Sequence, residues 1–358
     1  MPESQSPVHP RLRGDIGLLL RGESPETDPH PDSADACLNE YECGGYLFRA
    51  WSQAGRLRSL PAAWCGALAR AHRKTVVDNL EALAEFRVIG RHLTEEGIPF
   101  LVIKGGAYLV DLYSDVGERR LTDIDILVHR GDVPRLARRL ASAGYRSLVG
   151  DLEFRRFEVG ASGGGRCRFE FHWWLGLSLR VRIDQVGLWE RSSRAVLEDV
   201  SFLRLSPEDA LLYHVAHQAD HYFGPSLKWT IDLREMLRRW PLDLDGLARR
   251  ASAWRVRTAL HLALSHVEKL FPGAAPIPLM QAMAPSRLRR RCLRPYVATD
   301  PLLLLSVSNG AASRYTLRCL LIDRPLDVLG SAVRVLLRPV AFRLGLGSRT
   351  DEPWAWRD

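Results

Sequence analysis

Hydrophobic and polar positions change their period several times along this chain, and each change predicts a different element. Residues 1–40 hold few periodic apolar positions and many Pro, Asp and Ser, so they predict a disordered tail. From Tyr46 to Glu96 the period becomes helical. Trp64, Leu68, His72, Val76, Leu80, Leu83, Phe86, Ile89 and Leu93 recur at three- and four-residue steps, one face of a long helix or helix pair that Gly97 ends. A short apolar run, Pro99 to Lys104, then reads as a strand leading into Gly105-Gly106, and Ala107–Tyr113 as a short helix. Leu121–Val128 alternates strictly, with Asp123, Asp125 and Leu127 on one side and Ile124, Ile126 and Val128 on the other, the period of a strand. Asp132–Ala143 is helical, with Gly144 after its last turn. Three more strand-like runs follow at 145–149, 153–159 and 168–174. Beyond about Ser206 the pattern is helical, with Pro207, Pro241, Pro272, Pro301 and Pro325 as joints. The chain therefore divides into a tail (1–40), a helical segment (41–97), an α/β core (98–205) and a C-terminal helical domain (206–358), an α+β protein.

Composition refines this picture only slightly. The 358 residues carry 50 Lys and Arg against 42 Asp and Glu, a formal charge of +8. Only four are lysines (Lys74, Lys104, Lys228 and Lys269), so the positive charge is nearly all Arg and fits a GC-rich coding sequence as well as an anionic partner. Six cysteines show no close paired spacing, which predicts reduced thiols and no zinc or disulfide framework. The apolar stretch 326–346 is interrupted by Asp327, Arg334, Arg338 and Arg343, too many charges for a membrane span, and the N-terminus has no signal-sequence pattern. A cytoplasmic location is expected.

The candidate chemistry gathers on the alternating strand. Asp123 and Asp125 lie on one face with Cα atoms roughly 6.5–7 Å apart. That spacing suits carboxylates that share one divalent cation or bracket two. Lys104-Gly105-Gly106 joins a strand to a helix, where backbone N–H groups can cradle phosphate; a plain turn is the competing reading. Arg119 and Arg120 precede the acidic strand, either as a polyphosphate clamp or as a solvent-facing pair. Glu170, between Phe169 and Phe171 on a later strand, can be a third metal ligand or accept a proton. His172 shares its face and either orients it or is a structural histidine. His214, His217 and His221 fall on one helical face, a zinc arrangement or, more commonly, a polar face packed inward. Asp232 can close a hydrogen bond to one of them. Arg287–Arg291 is a basic patch without interleaved aromatics, so a nucleic-acid partner is the less favoured reading.

Taken together, Ile103-Lys-Gly-Gly-Ala, Tyr113-x-Asp115-x-Gly117-x-Arg119 and Asp123-Ile-Asp-Ile-Leu-Val128 resemble the uncharacterised nucleotidyltransferase family of the DNA polymerase β-like superfamily. Glu170-x-His172-Trp173, His214 and His217, Trp229 and Asp232, and Leu337-Arg-Pro339 extend the likeness over about residues 60–345. The resemblance implies a small mixed β-sheet with flanking helices. Asp123, Asp125 and Glu170 would hold Mg²⁺ or Mn²⁺, and Lys104, Gly105, Gly106 and Arg119 would bind a nucleoside triphosphate such as ATP. His172, His217 and Asp232 would support them from behind. Nucleotidyl transfer to an unidentified acceptor follows, with pyrophosphate leaving. Gly106 and Asp123 lie further apart than is usual in the superfamily. A catalytically inactive module binding nucleic acid or protein, and a D-x-D glycosyltransferase, are the alternatives.

Overall fold

The computed structural model describes residues 10–26, 28–147, 156–160, 167–177, 181–224, 226–298, 302, 311–324 and 326–328. Three short helices come first, α1 (Pro10–Leu20), α2 (Pro31–Tyr41) and α3 (Gly44–Gln53), followed by the 34-residue α4 (Ala62–Glu95). The sheet contains β1 (Phe100–Ile103), β2 (Asp123–Val128), β3 (Arg146–Ser147), β4 (Arg156–Gly160), β5 (Arg168–His172), β6 (Ser193–Leu197) and β7 (Val200–Arg204). Between its strands lie α5 (Gly105–Tyr108), α6 (Val133–Ser142) and α7 (Gln185–Glu190). The later helices are α8 (Pro207–Asp220), α9 (Leu227–Arg239), α10 (Leu244–Trp254), α11 (Arg257–Leu270), α12 (Ile277–Met283), α13 (Arg287–Ala298) and α14 (Ala311–Leu321). The fold is α+β around a mixed sheet in the order β3-β4-β5-β2-β1-β7-β6. β2 sits at its centre, antiparallel to β1 and parallel to β5.

The expected tail is a folded part of the molecule between residues 10 and 41. α2 begins with Pro31 in its first turn and is capped by the His30 ring, which accepts from the Asp32 N–H. Proline at the first helical position starts a helix, because its missing N–H has no helical partner there. Ile16, Leu19, Cys37, Leu38 and Tyr41 are then buried in the same core as the sheet. Residues 1–9 lie outside the described residues, as does nearly all of the apolar stretch 326–346.

A second difference concerns the face of α4. Leu80, expected inward, is 52% exposed, while Thr75 and Asn79 turn toward the core. Further along, α4 crosses β7 so closely that a Cβ on Gly90 would lie 2.4 Å from Val200 Cγ1. Phe86 meets Phe202 edge-on beside this contact, with centroids 5.8 Å apart. That hairpin, β6–β7, was not among the expected strands. Its turn residues Glu198 and Asp199 both have positive φ, 50° and 63°, the backbone of a tight two-residue hairpin that Asn-Gly usually supplies. β7 pairs parallel with β1 and completes the sheet beside the candidate site.

In the helical half, α8 is buried around most of its circumference from Asp209 to Ala216, so it packs as an interior helix against α9, α10 and α11. No described helix is long and apolar enough to cross a membrane.

Candidate active site

Three adjacent strands set the site. In the β1–β2 ladder Ile103 faces Asp125, and in the β2–β5 ladder Asp125 faces Glu170. The turn after β1 therefore stands beside Asp125, and Glu170 on its other side. Lys104 makes that turn with φ 52° and ψ −138°, a region few residues other than glycine enter and one that costs of order 1–3 kcal/mol. Its ammonium donates to Asp125 Oδ1 at 2.7 Å. From β5, His172 Nε2 lies 3.0 Å from the same oxygen and 3.5 Å from Glu170 Oε2. One ligand atom each from Asp125, Glu170 and His172 lies within 4.8 Å of the other two.

Burial alone would push the Asp125 carboxyl up. The Lys104 ammonium and the His172 hydrogen bond more than reverse this and hold it well below the usual carboxylate range. Burial also raises Glu170, yet the His172 hydrogen bond brings it below its ordinary value, against the repulsion of Asp125. Both acids are thus ionised at neutral pH. Burial lowers the His172 pKa, and its hydrogen bonds to Asp125 and Glu170 raise it overall. Lys104 follows the same logic: burial lowers it, and Asp125 lifts it above its ordinary value.

Asp123 stands apart from this cluster. It opens β2 opposite Arg168, half-buried, and accepts from the Thr122 hydroxyl at 3.0 Å. Of the three expected acids, the structure brings Asp125 and Glu170 together, adds His172, and leaves Asp123 outside the group that converges within 4.8 Å.

Arg119 differs more from expectation. Its guanidinium is buried and forked onto Asp232, with Nε to Oδ1 at 2.8 Å and Nη2 to Oδ2 at 2.9 Å. Its cationic carbon lies 5.4 Å from the centre of the Tyr108 ring, and the Tyr113 hydroxyl donates to Asp232 Oδ1 at 2.5 Å. Its Nη1 also donates to the Arg120 carbonyl at 3.3 Å, so the guanidinium is tied to the protein at three of its nitrogen donors. It also explains the first glycine of the pair, since a Cβ on Gly105 would lie 2.2 Å from Arg119 Nη1. Asp232 likewise serves Arg119, which it grips with both carboxylate oxygens. His214 instead donates from Nε2 to the Trp229 carbonyl at 2.8 Å and accepts from Tyr108 at Nδ1, 3.2 Å away. Burial depresses its pKa. His217 packs against the rings of His221 and Trp229, at 4.6 and 5.2 Å between centroids. Burial, followed by the Lys104 charge, holds it well below its ordinary value. Among the described residues these three histidines form no converging ligand group.

Spacing did not reveal Asn79. Its amide donates to the carbonyls of Val116 and Arg119 at 2.6 and 2.7 Å and accepts from Leu121 N–H at 2.8 Å. This fixes the loop that delivers β2. His72 holds Asp115 in the same loop at 2.9 Å. A buried amide on an otherwise apolar helical face was the available signal.

Residues 28–272 match the sequence profile of the uncharacterised nucleotidyltransferase family. The chain belongs to that family. The match begins ahead of α2, so it takes in segments expected to be a tail. No curated protein matches in sequence. Among solved structures, the chain is similar to the antibiotic-resistance factor ANT(2″)-Ia, at 15% identity over 51% of this chain and 95% of that one, with a TM-score of 0.39. A nucleotidyltransferase-like antigenic protein from Paracoccidioides brasiliensis matches at 16% identity over 57% and 92%, TM-score 0.33. A CCA-adding enzyme matches at 14% identity over 78% and 90%, TM-score 0.25.

Proposed function

We propose that this nucleotidyltransferase moves a nucleoside monophosphate from a nucleoside triphosphate, taken here as ATP, to an oxygen of an acceptor and releases pyrophosphate. One observation carries the reading: two ionised carboxylates, Asp125 and Glu170, stand side by side on neighbouring strands next to a lysine-glycine-glycine turn. The donor set fits a divalent cation, Mg²⁺ or Mn²⁺, because two anionic side chains already converge on one hydrogen-bonded centre that takes the Lys104 ammonium. Asp125 and Glu170 would hold it, with Asp123 as a further oxygen donor toward the start of β2. When bound, it supplies positive charge against the phosphates.

The chain's own groups then do the following. Lys104 gives its ammonium to a phosphate oxygen, and the turn at Gly105-Gly106 offers backbone N–H donors. The acceptor oxygen bonds to the α-phosphorus while the α-phosphorus to bridging-oxygen bond breaks, and pyrophosphate carries away that electron pair. Glu170 takes the acceptor's proton on one carboxylate oxygen. Arg119, held by Asp232, keeps the turn in place from beneath Gly105.

Incubating the pure chain with α-labelled NTPs, Mg²⁺ or Mn²⁺ and a cell extract tests the reading. Label transfer with pyrophosphate release is expected, falling by at least about 10²–10³-fold in Asp125→Asn, the scale of losing a principal electrostatic group. Transfer that survives Asp125→Asn unchanged, or no transfer with any NTP and either ion, overturns it and favours a non-catalytic module.

A further inference from the structure

Resting on that reading, we propose that α8 supplies the acceptor half of the site. The Tyr213 hydroxyl and the His217 imidazole hydrogen-bond an uncharged group of the acceptor beside its reacting oxygen, against the flat wall of Trp229.

Position comes first. Tyr213 is only 4% exposed, and the Lys104 ammonium lies 5.9 Å from the centre of its ring, so it stands over the Lys104–Asp125 pair. His217 follows four residues later on α8, which puts the two side chains on one helical face with Cβ atoms about 5–6 Å apart. The His217 ring meets Trp229 at 5.2 Å between centroids, and both rings are half-buried, so this face opens outward at that end. The charges of the centre reach both groups: Lys104, Asp125 and Glu170 act on Tyr213, and Lys104 and Asp125 on His217.

Hydrogen bonding then separates a structural histidine from one with capacity to spare. His214 on the same helix has its nitrogens taken by the Trp229 carbonyl and the Tyr108 hydroxyl. His217 makes ring contacts, but among the described residues nothing hydrogen-bonds its nitrogens. The Tyr213 hydroxyl also has no hydrogen-bond partner among the described residues, although the side chain is buried. Leaving a buried hydroxyl unmatched costs about 1–3 kcal/mol, which a group arriving with the substrate would recover.

The two groups define what they can bind. Burial pushes the Tyr213 pKa up to about 12, so the phenol keeps its proton and donates. Burial, and then the Lys104 charge, keep His217 neutral, so the imidazole offers a lone pair and an N–H. The cation that acts on both is Lys104, already paired with Asp125 and required by the triphosphate. A phosphate or carboxylate placed here would therefore face Asp125 and Glu170 without a cation of its own. A hydroxyl or amide next to the reacting oxygen, which both donates and accepts, matches the pair. Glu170 still takes the proton of the reacting oxygen itself.

Tyr213→Phe removes only the hydroxyl, His217→Leu removes the hydrogen-bonding nitrogens, and His217→Gln restores a polar group. Each full-length variant is assayed with α-labelled ATP and Mg²⁺ over a dilution series of cell extract, and titrated with α,β-methylene-ATP by calorimetry. Tyr213→Phe and His217→Leu should each lower transfer at limiting extract by about tenfold, the scale of one neutral hydrogen bond, with His217→Gln losing less. Half-saturation should move to more concentrated extract, while affinity for α,β-methylene-ATP stays within about twofold, which a merely structural role would not produce. Tyr213→Phe keeps the ring, so it decides the question even if His217→Leu folds poorly. Unchanged transfer in Tyr213→Phe and His217→Gln, or nucleotide affinity falling in step with transfer, overturns the acceptor role and leaves the nucleotidyltransferase reading standing. So does a labelled product whose mass spectrum shows a phosphate or carboxylate directly beside the modified oxygen. Wild-type protein that transfers no label from any NTP overturns both.

Discussion

Two buried charge clusters lie a few residues apart in this fold, and they are built in opposite ways. Arg119 and Asp232 are joined by two parallel hydrogen bonds, with Tyr108 and Tyr113 around them. Burial, and then the Asp232 charge, pushes both tyrosine pKa values well up, so the cluster holds one cation and one anion and closes on itself. The Lys104–Asp125–Glu170–His172 cluster has two ionised acids and a lysine that reaches one of them through a single N–H contact. A guanidinium fork is geometrically committed, while an ammonium is a compact charge on a flexible stem. The first cluster therefore holds backbone in place. The second holds two anions whose lysine partner can be exchanged.

The largest expected effect separates the two. Asp232→Asn leaves the Arg119 guanidinium buried without its anion, a change worth about 3–5 kcal/mol of stability. Asp125→Asn removes a buried anion too, but it relieves repulsion between Asp125 and Glu170 and leaves Lys104 with Asp123 and Glu170 nearby, so it should cost less, about 1–3 kcal/mol, while removing transfer. Chemical denaturation of both variants checks this. Equal losses would erase the distinction drawn between the clusters.

A smaller effect comes from the helical half, which can be contrasted with both clusters through pH. His266 is buried against Phe223 and contacts the Tyr296 carbonyl at 3.3 Å, with burial taking its pKa down to about 4. The folded value lies below the unfolded one, so protonation favours the unfolded chain. The contribution of neutral His266 is full above about pH 6.5 and is lost as pH falls toward 4, at most about 3 kcal/mol. His266→Gln keeps a donor for the carbonyl and should flatten that part of the stability–pH curve. An unchanged slope between pH 6.5 and 4 would show that the acid loss arises elsewhere.

The sheet's centre was legible because its signals are local. Strict alternation in 121–128 and the glycine stops at 97 and 144 need only neighbouring residues. Glu170 was legible too, since aromatics on either side mark a strand whose acid faces the other way. What escaped depended on distant partners. The partner of Arg119 escaped because Asp232, which holds it, lies 113 residues further along. The tail read as disordered because Pro31 was taken for a breaker rather than a helix start. The β6–β7 hairpin hid behind Glu-Asp in a turn usually marked by Asn-Gly. His172 was seen beside Glu170, but its approach to Asp125 required the β2–β5 register.

The two adjacent residues Asn79 and Leu80 carry the same comparison down to its smallest scale. Periodicity put Leu80 inside, yet its side chain is largely exposed, and it should tolerate Leu80→Gln within about 0.5 kcal/mol. Asn79 looks like a blemish on an apolar face but is fully buried and holds three backbone groups of the loop before β2. Asn79→Ala leaves the Arg119 carbonyl and the Leu121 N–H without that partner, which should cost about 2 kcal/mol. It also loosens the segment that sets Asp125 against Glu170, so transfer should fall by more than the lost fraction of folded protein explains. Thermal melts and transfer rates on the same preparations separate the two contributions. If Leu80→Gln proves the more damaging change, α4 contributes to the site through its apolar face and not through the loop it clamps.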